Sequence, residues 1–182
     1  MSKTDARIRY TQGVLKQALL SFLQEKPINK ITVKEVCERA ELNRATFYAH
    51  YSDCFALLES IEEDLLEAFQ QSLKLVASFD VTALIEAIYT MIEQQQEACR
   101  VLIFQNACPN VLRRMIGMAH DESISYWKRR LHHITDAELE MLYTHLSNGL
   151  MHVVVEGYEK YSREEVVRFV NRIVQCSLSQ FQ

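Results

Sequence analysis

The chain has 182 residues, a formal net charge of -4 and 48% hydrophobic residues, enough apolar side chain for a substantial core in one or two domains. Only 4 Gly and 2 Pro interrupt it, which argues against hairpins, sheets and long loops and for long helices. Its 5 cysteines are an odd number without C-x-x-C spacing, so a disulfide framework is disfavoured and a reducing, cytoplasmic setting expected, while no apolar run approaches the roughly 18 residues that span a bilayer.

The charge is unevenly placed. Residues 1–51 hold nine Lys or Arg against five Asp or Glu, and the remainder holds 11 against 19. Local charge, rather than the total, attracts phosphate. Met1 to Ala6 reads as a loose tail, with Lys3, Arg7 and Arg9 on or near it. Leu15, Ala18, Leu19, Phe22 and Leu23 follow the i, i+3, i+4, i+7, i+8 spacing and predict a helix over about 8–24. Pro27 and Asn29 mark the loop that follows. Thr32 and Glu35 form a T-x-x-E capping box, which predicts a second helix ending near Ala40. Val36, Cys37 and Ala40 give that helix a small apolar face. Asn43 suits the N-cap of a third helix over 44–51. Phe47 and Tyr51, four apart, turn inward and leave Arg44, Thr46, Tyr48 and His50 facing outward.

The connection from Ala40 to Asn43 has the length of a helix-turn-helix turn. In such motifs the second helix enters the major groove of double-stranded DNA and its first residues reach base edges. Arg44 is placed for that, because its fork matches O6 and N7 of guanine. Asn43 either reads adenine or caps the helix. Thr46, Tyr48 and His50 carry groups suited to phosphate oxygens, which set register rather than sequence. Thr32 and Lys34 open the preceding helix, whose N-terminus attracts a phosphate. A polar outward face of this kind is also what an ordinary solvated helix pair presents.

The run I-T-V-K-E-V-C-E-R-A-E-L-N-R-A-T-F-Y-A-H-Y, with an amphipathic helix before it and a long helix after it, resembles the N-terminal domain of the TetR family of transcriptional regulators. The likeness covers residues 8–58, and Thr46-Phe47-Tyr48-Ala49-His50-Tyr51 is its most specific part. The resemblance implies that Lys34, Asn43, Arg44 and Ala45 face bases and that Thr32, Thr46, Tyr48 and His50 hold the backbone. It also implies a homodimer and a small-molecule effector pocket in the rest of the chain. Two positions depart from the family pattern. Glu41 stands where Gly is usual in the turn and would need a left-handed backbone. Cys54 stands where a Lys is common, which removes one expected phosphate contact.

The fourth helix is expected from Ser52 or Asp53 to about Ala77, with Leu58, Ile61, Leu65, Phe69, Leu73 and Val76 in one stripe. Asp80 reads as the N-cap of a fifth helix to about Gln96, followed by a short apolar helix over 98–105. Pro109 suits the first turn of the next segment, 109–134, which is one bent helix or two shorter ones with Gly117 as the weak point. Thr135 with Glu138 and Ser162 with Glu165 are further capping boxes and open two final helices over about 136–160 and 163–181. Both are apolar on more than one side, as central or interfacial helices are. By the resemblance they form a four-helix dimer interface, for which Leu146, Leu150, Val154, Val170, Ile173 and Val174 are the candidates.

The effector pocket implied by the resemblance falls in about 80–150. Tyr89, Met91, Phe104, Met115, Trp127 and His145 are its candidates, with Asn106, His120 and Asn148 as further polar groups. Met and aromatic stripes on helices are more often plain core. His132 and His133 point about 100° apart on a helix, a poor metal-ligand geometry, and Cys99 and Cys108 have no redox-motif spacing. No metal or cofactor is expected, and no nucleophile–base or paired-carboxylate spacing supports an enzyme. The expected architecture is all-α with about nine helices: a helix-turn-helix DNA-binding domain over 1–52 and a helical effector-binding and dimerisation domain over 53–182. The expected function is a DNA-binding regulator, a repressor released by its effector; a ligand-independent activator is the alternative.

Overall fold

A computed structural model describes residues 3–74, 81–105 and 109–181. The described residues are helical without strands: α1 (Lys3–Leu23), α2 (Val33–Arg39), α3 (Arg44–Tyr48), α4 (Cys54–Lys74), α5 (Val81–Gln94), α6 (Gln96–Cys99), α7 (Pro109–Lys128), α8 (Asp136–Gly157) and α9 (Arg163–Leu178). A five-residue π turn, Arg100–Phe104, follows α6. No helix among the described residues is long and apolar enough to cross a membrane.

The chain forms two compact units. One runs through Leu65 and includes the segment from Gln96 to the π turn; the other holds Leu66–Gln95 and the chain from Pro109 onward. The division therefore falls inside α4, after Leu65. In the first unit Leu15, Leu19, Val36, Phe47 and Leu57 are fully buried. This is the stripe that the sequence periodicity places on α1, closed by the apolar faces of α2 and α3. Lys16 on α1 reaches Asp64 Oδ2 on α4 at 2.5 Å and the carbonyl of Ser60 at 3.3 Å. In the second unit the buried residues include Ile85, Met91, Met115, Leu139, Val154, Val170 and Val174.

All three capping boxes form: Thr32 with Glu35, Thr135 with Glu138, and Ser162 with Glu165. Each makes the two reciprocal bonds that satisfy orphan amides. Elsewhere the boundaries shift. α1 begins at Lys3, so most of the expected tail is helical. Nothing before Gly13 interrupts the helix. α3 stops at Tyr48, and the amides of His50 and Tyr51 turn back onto the Phe47 carbonyl, both at 2.9 Å. α7 is one helix through Gly117 that ends at Lys128. His132 and His133 then lie in a loop, where both amides donate to the carbonyl of Phe181. The expected cap at Asp80, the pocket candidate Asn106, and Val76, Ala77 and Cys108 lie outside the described residues.

Candidate functional site

The turn between α2 and α3 is set by bonds within a few residues. The Glu35 amide donates to Thr32 Oγ1 at 3.3 Å, and the Thr32 amide donates back to Glu35 Oε2 at 3.0 Å. Lys26 Nζ holds the other carboxylate oxygen at 2.6 Å. The Lys26 bond, followed by those from Thr32, lowers the Glu35 carboxyl to about 2. At the far end of α2 the Glu41 amide bonds the Glu38 carbonyl at 3.3 Å and the Leu42 amide bonds the Cys37 carbonyl at 2.9 Å. That pair is a Schellman motif, whose C′ position favours glycine. Glu41 occupies it with φ 54°, the left-handed conformation that its sequence position demands. The cost falls on a residue with a Cβ.

Asn43 is the cap of α3. Its Oδ1 accepts from the Thr46 amide at 2.7 Å and from Thr46 Oγ1 at 3.0 Å. Of the two roles open to Asn43 in the sequence, capping is the one its oxygen performs. Bidentate adenine reading needs that oxygen as well as the amide nitrogen, so only the nitrogen remains for a base. Asn43, Arg44 and Ala45 are exposed, Tyr48 is 57% exposed, and Thr46 and His50 are half-buried. Phe47 and Tyr51 point inward, with their rings 6.0 Å apart. Tyr48 meets Phe47 edge-on at 5.7 Å, and the His50 ring lies 6.3 Å from that of Tyr51. Two inward rings thus support the rings that remain outside.

Thr32 and Lys34 are exposed on α2, and Lys34 Nζ lies 3.7 Å from Glu38. An exposed i, i+4 pair of this kind is weak, so the ammonium is available to a phosphate. Cys54 is 5% exposed, and burial raises its thiol to about 11. It sits in the core as a small neutral side chain. Asp53 caps α4 instead, accepting the Ala56 amide at 2.8 Å.

A separate feature lies wholly in the second unit. A cavity of about 80 Å³, partly open to solvent, is lined by Phe69 of α4, Leu84, Ile85 and Ile88 of α5, Met115, Ile116, Ala119, Ser123 and Trp127 of α7, and Tyr143, Leu146, Ser147, Leu150, Met151 and Val154 of α8. Of the six pocket candidates, Met115 and Trp127 line it. Tyr89 and Met91 are buried elsewhere: Tyr89 packs on Tyr158 at 5.4 Å and lies under the Arg163 guanidinium at 5.0 Å. His145 faces outward on α8, and Phe104 belongs to the other unit. Aromatic, Met and His content does not tell which face of a helix is turned to a void.

The cavity also takes up part of the expected dimer stripe. Leu146, Leu150 and Val154 line it, while Val170 and Val174 are 0% and 2% exposed within one chain. Leu146 and Val154 are buried within the chain and Leu150 is half-buried. Of the six, Ile173 is the most exposed, at 38%. The exposed apolar groups nearby in sequence are Met141 on α8 and Phe169 on α9, at 64% and 43%.

Sequence reasoning missed Ser123 and Tyr143. The signal was present: Met115, Ala119, Ser123 and Trp127 recur every four residues along one face of α7, and the two small ones leave room between the two large. Tyr143 donates its hydroxyl to the Ile116 carbonyl at 2.6 Å, and burial raises its phenol to about 12. His120 meets the Tyr143 ring edge-on at 4.8 Å. Its two nitrogens contact Asp121 Oδ1 at 2.7 Å and Glu140 Oε2 at 2.8 Å, so α7 and α8 are clamped beside the cavity. Asp121 and then Glu140 raise the His120 pKa. Cys99 is fully buried, with its thiol raised to about 12 by desolvation, which makes it unreactive.

No protein-family model matches the chain. A 62-residue stretch is 37% identical to the Uncharacterized HTH-type transcriptional regulator YxbF of Bacillus subtilis (strain 168), covering 34% of this chain and 16% of that protein. Among solved structures, a TetR transcriptional regulator from Streptococcus agalactiae 2603V matches with a TM-score of 0.67 and 22% identity, over 94% of this chain and 97% of the other. The dihydroxyacetone kinase operon activator DhaS matches at 0.59 with 14% identity, over 94% and 98%. A putative transcriptional regulator from Pseudomonas aeruginosa PAO1 matches at 0.57 with 16% identity, over 100% and 97%. The fold is that of the TetR-type regulators.

Proposed function

We propose that this chain, with its TetR-type fold, is a sequence-specific DNA-binding transcriptional regulator that works as a homodimer and releases its operator when a small molecule occupies the cavity of the second unit. The observation that carries the reading is the outer face of α2 and α3. There Thr32, Lys34, Arg44, Ala45, Tyr48 and His50 stand on a turn held rigid by two caps and a Schellman motif. Arg44 is the base reader, Ala45 leaves the backbone free to approach, and the hydroxyl and imidazole groups fix register on phosphates.

Two heads are needed to read a two-fold operator, whose half-sites lie one helical turn or a multiple apart. The proposed interface is the outer face of α8 and α9, centred on Met141, Phe169 and Ile173. α8 is then shared: its inner side lines the cavity and its outer side meets the partner. Phe69 puts α4 on the cavity wall as well, and α4 is the same unbroken helix that begins at Cys54 beside the reading head. An effector acts only through a difference in affinity between two arrangements of these helices.

The test is enrichment of random-sequence duplexes by the full chain, repeated with a metabolite extract. Enrichment of an inverted repeat that the extract abolishes is the expected result. Failure to enrich any sequence contradicts DNA reading; enrichment indifferent to every extract contradicts effector control.

A further inference from the structure

The wall of the α4–α5–α7–α8 cavity says what kind of molecule fits it. Resting on the reading that this cavity is the effector site, we propose that the effector is a small, uncharged molecule, mostly apolar, with a single hydroxyl or carbonyl group bound by Ser123 Oγ.

Three observations carry this. First, no charged side chain among the described residues lines the cavity. A carboxylate or ammonium seated against this wall would lose hydration without gaining a counter-ion, a cost that disfavours charged ligands. Second, its polar groups are not equivalent. The Tyr143 hydroxyl is spent on the Ile116 carbonyl at 2.6 Å. Ser147 Oγ contacts its own helix, at 3.5 Å from the Thr144 carbonyl. Ser123 is 2% exposed, and its Oγ has no hydrogen-bond partner among the described residues. A buried hydroxyl left without a partner bears its desolvation cost unreturned. Mid-helix serines ordinarily relieve that cost by bonding the carbonyl four residues back, and this one does not. It is the one hydroxyl on the wall that gains a partner when a ligand arrives.

Third, the space is small. About 80 Å³ compares with the roughly 150 Å³ of a dry cavity that accepts benzene. Met115 and Met151 on the wall can re-pack around a somewhat larger guest, so the fitting class is alcohols, ketones or aldehydes with a short carbon chain. One polar group is enough, because among the described residues the wall has one such partner to offer.

Trp127 lines the cavity and is the single tryptophan of the chain, so its fluorescence reports occupancy without DNA. The experiment titrates the full-length protein with butan-1-ol, butanone, butyrate and butylammonium. The first two are expected to change Trp127 emission saturably at millimolar concentration or below, and the two ions to leave it unchanged. Ser123→Ala, which removes the unpartnered hydroxyl and folds at least as well, should weaken butan-1-ol and butanone about fivefold to tenfold. Ala119→Leu, which fills the cavity, should abolish the signal for butan-1-ol and butanone. Binding of the ions as tight as that of the neutral probes, equal affinity in Ser123→Ala, or no saturable change with any probe overturns the proposal. Operator affinity measured with and without butan-1-ol separates the two readings. Saturable binding that leaves DNA affinity untouched refutes effector control while the ligand class stands.

Discussion

The reading head and the cavity of the second unit are built in opposite ways. The head is polar, exposed and local. Thr32 with Glu35, Asn43 with Thr46, and Cys37 with Leu42 are bonds between residues three to five positions apart. The cavity is apolar, only partly open and non-local. Four helices contribute to its wall, and the bond that braces it joins Tyr143 to Ile116, 27 residues away. The face proposed to read DNA is therefore a property of twenty consecutive residues, whereas the cavity proposed to select a ligand is a property of the fold.

This contrast can be broken at several strengths. The largest effect is expected from Phe47→Ala. The ring is fully buried, and its loss should cost about 3–5 kcal/mol in urea unfolding and abolish DNA binding. Neighbouring positions on α9 should then separate interface from core. Ile173→Glu, on an exposed side chain, is expected to give folded monomers in light scattering. Val174→Glu, on a side chain 2% exposed, should instead unfold the second unit. Folded monomers from both variants would move the buried α9 stripe back to the interface.

Smaller effects probe the local devices. Glu41→Gly should stabilise the head by about 1 kcal/mol, the cost of a left-handed residue that has a Cβ, read as a higher melting temperature. A lower one would mean that the Glu41 side chain gains more than its backbone loses. The smallest effect is a pH dependence at the α7–α8 clamp. The His120 pKa is raised in the folded state, so its contribution is full below the unfolded value near 6.5 and is lost as pH rises through the folded one. Stability lost over that window should be smaller in His120→Gln, and identical pH profiles would remove the clamp from the account.

What the amino-acid sequence makes legible follows the same division. The three capping boxes, the inward Phe47 and Tyr51 and the left-handed Glu41 are all readable, because each depends on neighbours within one helical turn. Asn43 has two roles open to it in the sequence, and its Oδ1 is spent on Thr46 in the fold. The cavity was not readable in the same way. Periodicity tells that α8 carries two apolar stripes but not which one its own subunit covers. Leu146, Leu150 and Val154 line the void, although the sequence suggests the interface for them. Tyr89 and Met91 are equally apolar and lie elsewhere in the core. Ser123 gives no signal by residue type; only its place between Ala119 and Trp127 on α7, and its lack of a partner, make it stand out.

The central claim is that the outer face of α2 and α3 reads bases through Arg44, and the most direct measurement compares two affinities. Wild-type protein and Arg44→Ala are each titrated against the enriched duplex and a scrambled duplex of equal length at one salt concentration. The account predicts that the variant loses about 1–3 kcal/mol on the enriched duplex and little on the scrambled one, so that the specificity ratio collapses. Equal weakening on both duplexes would make Arg44 a phosphate contact and contradict the claim.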